Sequence, residues 1–169
     1  PTPTIGMVGL LPDALTDQLG LAFAQNRDLV YLLGHVPNDI GSSEYCYRYR
    51  GVAHSPAPYL NLAEEVNLSQ LMLKLNEAGV LNSAHDVSDG GLLTTLFESA
   101  FAANLAFNVA KPESLAGIRN DAFWFGEGGG RIVVTITPEY ETLLLRLAKS
   151  FNVPAWHLGT VALEMITVE

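Results

Sequence analysis

The segment Ser83-Ala84-His85-Asp86-Val87-Ser88-Asp89-Gly90-Gly91-Leu92 stands out in this 169-residue sequence. It reads as a strand running into a polar, glycine-bearing turn, with a helix beginning directly afterwards. Strand ends that open into helix N-termini are where α/β proteins hold anions, because the first helical N–H groups have no intrahelical partner. Gly90 and Gly91 let backbone approach a ligand closely. Asp86 offers a hard carboxylate oxygen suited to Mg²⁺, and Ser88 offers a hydroxyl to a phosphate or sugar. The plainer alternative is that Ser88 or Asp89 is a helix N-cap and the glycines only tighten the turn.

A second candidate is Phe125-Gly126-Glu127-Gly128-Gly129-Gly130-Arg131. Three consecutive glycines are costly to order, so they mark either a tight turn or a loop that wraps a ligand. Glu127 and Arg131 have the spacing to pair across that turn. The segment is not a phosphate-binding P-loop, because it lacks the Gly-Lys-Ser/Thr ending. The aromatic trio Phe123, Trp124 and Phe125 reads as core. A third candidate is Gly41-Ser42-Ser43-Glu44-Tyr45, where Ser42 or Ser43 would cap a short helix. No Gly-x-Ser-x-Gly elbow is present, and His35, His54 and His157 lack metal-ligand spacing, which argues against a hydrolase and against zinc.

The elements that must position these residues follow from pattern. Strands are expected over 4–11, 19–24 and 28–33, with a turn at 25–28. A helix is expected over 61–78, with Asn61 as N-cap, Glu64 completing a capping box and Gly79 closing the end. A strand over 80–85 leads to a helix over 92–104 whose apolar face is Leu93, Leu96, Phe97, Ala100 and Phe101. Strands over 105–110 and 131–137 follow. Pro138 starts a third helix lined by Leu143, Leu144, Leu147, Ala148 and Phe151, and strands over 155–161 and 164–168 end the chain. The mixture predicts an α+β fold, a mixed and mainly antiparallel sheet with packed helices.

Composition narrows the class. The chain is 49% hydrophobic and 16% charged, enough for one core in a single domain spanning 1–169. Its net charge of −9, with no basic stripe, excludes a nucleic-acid footprint. No apolar run reaches the ~18 residues of a membrane span. The one cysteine, Cys46, excludes a disulfide framework, reads as a small buried residue and points to the cytoplasm. The start at Pro1-Thr2-Pro3-Thr4, without a methionine, is expected of a boundary in a linker, and so of a piece of a longer chain.

Five segments occur in a telling order: Ile5–Leu10, Asp28–Gly34, Gly41–Tyr45, His85–Leu92 and Phe125–Glu127 with Arg131. Together they resemble the second half of phosphoribosylformylglycinamidine synthase, over nearly the whole chain. The C-terminal domain type is the one shared with aminoimidazole ribonucleotide synthetase and selenophosphate synthetase. The resemblance implies an ATP-dependent C–N ligase of purine biosynthesis. Such an enzyme turns formylglycinamide ribonucleotide into the amidine with ATP and with ammonia from a partner glutaminase. It implies ATP and Mg²⁺ as cofactors, Asp86 as a metal ligand, and Ser88, Asp89, Gly90, Gly91, Glu127 and Arg131 as nucleotide-binding residues. It implies no catalytic residue on this chain, the remaining ligands coming from upstream domains of the same polypeptide. Two departures stand out: the family often has Gly-Gly-Ser-Glu where this chain has Gly41-Ser42-Ser43-Glu44, and Glu-Ser where it has Glu127-Gly128. A sister synthetase of the aminoimidazole ribonucleotide type and a bracing module around a non-catalytic nucleotide are the alternatives.

Overall fold

The computed structural model describes residues 6–10 and 18–169. Among these, six strands form one sheet in the order β2-β4-β1-β5-β3-β6. The strands are β1 (Leu29–Gly34), β2 (Ser83–Asp86), β3 (Ala106–Val109), β4 (Arg131–Ile136), β5 (Ala155–Ala162) and β6 (Thr167–Val168). Every pairing is antiparallel except β3 with β6, as the composition of elements leads one to expect.

The central strand β1 is apolar at every position up to Gly34 because both its faces are covered. Val30 and Leu32 point to one side, packing with Leu92, Leu96, Phe107 and Phe123. Tyr31 and Leu33 point to the other, against Leu68, Leu71, Leu75 and Leu144. Helices α2 (Gly91–Ala103) and α3 (Asn120–Phe125) therefore cover one face, and α1 (Leu62–Glu77) and α4 (Glu141–Ser150) the other.

Local chemistry sets most boundaries. The Asn61 side chain accepts from Ala63 N–H at 3.0 Å, as an N-cap should. Glu64 does not close a capping box; its Oε1 accepts from Asn61 Nδ2 and from Tyr59 O–H, each at 3.1 Å. Gly79 ends α1 at φ +63°, with Val80 N–H returning to Leu75 C=O at 3.1 Å. Pro138 opens a 3₁₀ turn (Pro138–Tyr140) that runs into α4. Among the described residues of 4–11, positions 6–10 form no strand; the rest of that expectation lies outside the described residues.

Other elements differ from the sequence pattern as well. Residues 19–24 are irregular and make only isolated bonds to the β2–α2 side, Gly20 C=O from Ala84 N–H and Phe23 N–H to Ser99 C=O. A strand needs a repeated ladder, and here each bond goes to a different element. Helix α2 turns a different face inward: Leu92, Thr95, Leu96, Ser99 and Ala100 are buried, while Phe97 and Phe101 are exposed. Its polar inner residues have partners, since Thr95 Oγ1 donates to Gly91 C=O at 3.1 Å and Ser99 Oγ lies 3.2 Å from His85 Nδ1. Helix α3 has no counterpart in the sequence pattern; six residues are too few to show a helical period.

Gly159 sits in β5 at φ +152°, beside the register shift opposite Val30 and Tyr31. A Cβ there would lie 1.9 Å from Asn108 C=O. Gly159→Ala is expected to destabilise the protein by about 2 kcal/mol or more, through backbone strain and a forced β3–β5 separation. Urea unfolding would read it, and an unchanged midpoint would contradict this account of the sheet.

Candidate functional site

The glycine turn, the 41–45 loop and the start of α2 converge on one atom. Glu127 Oε1 accepts from Glu44 N–H at 2.7 Å and from Gly90 N–H at 2.9 Å. One carboxylate oxygen thus ties together segments far apart in sequence.

The reason lies in how α2 begins. Its N-cap is Gly90, at φ +83° and ψ −4°, with no side-chain cap, and Gly91 follows at φ +75°. Neither Ser88 nor Asp89 caps the helix. Two successive left-handed residues demand glycine. Gly91 has a second reason: a Cβ there would meet Phe125 Cα at 2.7 Å and Gly126 C=O at 2.8 Å. The α2 N-terminus therefore lies directly on the end of α3, and Glu127, just beyond, supplies the acceptor that no local side chain provides.

Arg131 and Glu127 do not form the expected ion pair; among the described residues no salt bridge joins them. Arg131 is 2% exposed. Its Nε donates to Gly128 C=O at 3.1 Å and its Nη2 to Gly126 C=O at 2.6 Å, so the guanidinium holds the turn closed from inside, while Nη1 has no partner. Burial pushes its pKa down to about 10, and the nearby Glu127 charge raises it. It remains a cation at neutral pH. Both residues are thus engaged with backbone through Glu127 Oε1 and through Arg131 Nε and Nη2.

The strand-end residues stand differently. The β2–β4 ladder continues to Val87 N–H, which donates to Arg131 C=O at 2.9 Å. That bond fixes where Asp86, Ser88 and Asp89 emerge, and all three are exposed. His85 is drawn away from them: Nδ1 lies 3.2 Å from Ser99 Oγ and Nε2 lies 3.4 Å from Glu98 Oε2, so it anchors β2 to α2. Among the described residues no group of three or more His, Cys, Asp or Glu is placed to hold a metal. Asp86 fits Mg²⁺ as one hard oxygen ligand of a larger set.

Beside this junction Ser43 Oγ accepts from Cys46 N–H at 3.2 Å and donates to Ile40 C=O at 2.6 Å. Ser43 thus precedes Glu44, the N-cap of a π-helical turn, Tyr45–Tyr49, in which Cys46 is buried. Tyr45 stacks on Phe125, with centroids 4.9 Å apart and planes 9° from parallel. Phe123 and Trp124 are core, as expected. Ser42, at the position where the resembled family often has glycine, sits at φ +55°. The left-handed backbone here is held by Ser42 N–H to Ser55 Oγ at 2.6 Å and Ser42 Oγ to Pro56 C=O at 3.0 Å.

Two predictions follow from this geometry. Glu127→Ala strips the acceptor from two N–H groups and should cost about 1–3 kcal/mol, with Glu127→Gln costing less because an amide oxygen remains; denaturant unfolding of both variants tests the ordering. At Ser42, glycine relieves the backbone while alanine keeps the strain and loses the hydroxyl, so S42G should exceed S42A in stability by about 1 kcal/mol. Equal midpoints would refute the strain.

Comparison with known proteins agrees with this architecture. Residues 27–164 match the family model described as AIR synthase related protein, C-terminal domain. Phosphoribosylformylglycinamidine synthase subunit PurL from Carboxydothermus hydrogenoformans is 39% identical over 161 residues, covering 95% of this chain and 22% of the relative. PurL from a Thermoanaerobacter species is 36% identical over 169 residues, 100% of this chain and again 22% of the relative. The chain therefore spans about a fifth of the length of these curated relatives. Among solved structures, Thermotoga maritima PurL complexed with FGAR superposes with a TM-score of 0.78 at 18% identity, over 89% of this chain and 27% of that one. Thiamine-monophosphate kinase from Stenotrophomonas maltophilia gives 0.58 at 18% identity, over 90% and 53% respectively. With the family model matched over residues 27–164, the chain belongs to the AIR synthase related family, as its C-terminal domain.

Proposed function

We propose that residues 1–169 are one domain of a longer phosphoribosylformylglycinamidine synthase of the PurL type, and that this domain supplies one wall of a nucleotide pocket. The observation that carries the reading is the strand-end cluster. Asp86, Ser88 and Asp89 emerge exposed beside a helix N-terminus that no preceding side chain caps, Glu127 taking the N–H of Gly90. The relatives named PurL at 39% and 36% identity support it. So do the structural neighbours described as PurL complexed with ATP and with FGAR.

In this reading the whole enzyme transfers the γ-phosphoryl group of ATP to the amide oxygen of formylglycinamide ribonucleotide. ADP leaves, and ammonia from a glutaminase partner then displaces phosphate to give the amidine. Magnesium, when bound, neutralises phosphate oxygens. On this chain Asp86 is the oxygen that would help to hold it, with further ligands coming from upstream domains. Ser88 and Asp89 face the nucleotide, and Gly90 and Gly91 let it approach the helix N-terminus. Glu127 and Arg131 act indirectly, by fixing the wall. The likeness to PurL relatives supports a place in the cytoplasm.

A second reading, a bracing domain around a nucleotide that is not turned over, is favoured by one observation. Two charged side chains beside the wall, Glu127 and Arg131, both serve the backbone.

Calorimetry separates these readings from a fortuitous likeness. The 169-residue chain alone is expected to bind Mg·ATP weakly or not at all, and the polypeptide extended upstream to bind it. Failure of the longer polypeptide to bind would overturn the nucleotide reading. In that polypeptide Asp86→Ala should weaken Mg²⁺-dependent binding by about tenfold or more. Loss of turnover in a stable variant identifies a catalytic pocket; lost stability with turnover per folded molecule retained identifies a brace.

A further inference from the structure

Helix α1 is apolar on two opposite sides. Leu68, Leu71 and Leu75 pack onto the sheet. Leu62, Val66 and Leu73 are 72%, 54% and 64% exposed. At 100° per residue these three fall within an arc of roughly 40°, on the side of the helix facing away from the buried leucines. Tyr59 and Leu60, also exposed, extend the stripe beyond the N-terminus of the helix.

The other helix of this layer differs. Helix α4 lies on the same face of the sheet and turns Thr142, Arg146, Lys149 and Ser150 outward, with Leu145 the one large apolar residue among them. A helix with an apolar stripe on each side belongs between two packed layers. Among the described residues only one of them, the sheet, is present. Ser69, Gln70 and Asn76 border the stripe, and the charges on its flank, Lys74 and Glu77, pair with each other, so the covering surface needs little matching charge.

We propose that the outer face of α1 docks an apolar, largely uncharged surface of another domain of the same polypeptide. The inference rests on the reading of this chain as part of a longer synthase. The length of the relatives argues for that occupant over a second copy, because this chain spans only 22% of them. The position of the stripe argues the same way. It begins at the cleft lined by His35, Tyr59, Asn61, Glu65, Gly129 and Gly130, on the flank of the glycine turn. The covering domain thus borders the loop whose far side positions Asp86 and Gly90, and docking on α1 aligns the two walls of the pocket.

Thiol labelling tests this. Leu73→Cys is introduced into the 169-residue chain and into the upstream-extended polypeptide, with buried Cys46 as internal reference. Maleimide should label Cys at position 73 readily in the chain alone and about a hundredfold more slowly in the long polypeptide. Equal rates overturn the proposal. Protection of the chain alone that grows with its concentration overturns it in favour of a second copy. A companion variant, Leu62→Lys with Leu73→Lys, should leave the unfolding midpoint of the chain alone unchanged; a collapse there would place the stripe in the domain's own core and overturn docking. Mg·ATP titration of the same long polypeptide keeps the two ideas apart. Protection without nucleotide binding supports the docking and sinks the pocket reading, and nucleotide binding without protection does the reverse.

Discussion

The organisation of the candidate site depends on the shared acceptor Glu127 Oε1. A helix that starts on two left-handed glycines cannot be capped by its own preceding side chains, because the chain direction turns those side chains away. The acceptor must come from another element, and Glu127 brings it from the end of α3. Because the same oxygen also takes Glu44 N–H, the 41–45 loop is positioned by the requirement that α2 imposes. The π-helical turn and the stacking of Tyr45 on Phe125 follow from that placement.

Arg131 is the complementary part of this arrangement. A guanidinium buried without an ion pair is costly unless its donors are met, and two of them are, by the carbonyls of Gly126 and Gly128. The glycines of the turn bring those carbonyls within reach. Its cation and the Glu127 anion act on each other at a distance while each satisfies separate backbone groups. The consequence for function is a rigid support behind an exposed edge, with Asp86, Ser88 and Asp89 left open to solvent.

The three layers explain why β1 is apolar throughout, and why α1 needs more than the sheet to cover it. The sheet uses both of its faces, so α1 and α4 form an outer layer. α4 ends the fold on its side with charged and polar residues; α1 presents a second apolar stripe and leaves its own side unfinished. That asymmetry is what the proposed docking on α1 accounts for.

The amino-acid sequence determined the elements whose signals are local. Asn61 and Gly79 delimit α1, the apolar run of β1 marks a doubly covered strand, and Pro138 announces the start of α4. The strand–turn–helix character of 83–92 was legible too, since glycine pairs between a strand and a helix leave a compositional trace. What the tertiary structure alone decided is how distant groups meet. The spacing of Glu127 and Arg131 suggests a pair across a turn, yet each finds backbone in its own surroundings. Helix α2 turns Thr95 and Ser99 inward, against hydrophobic pattern, because Gly91 C=O and His85 wait there as partners. Residues 19–24 have strand composition but meet no continuous edge. Hydrogen-bond acceptors separated by tens of residues become neighbours only once the sheet is assembled, and no local periodicity encodes which donor each will receive.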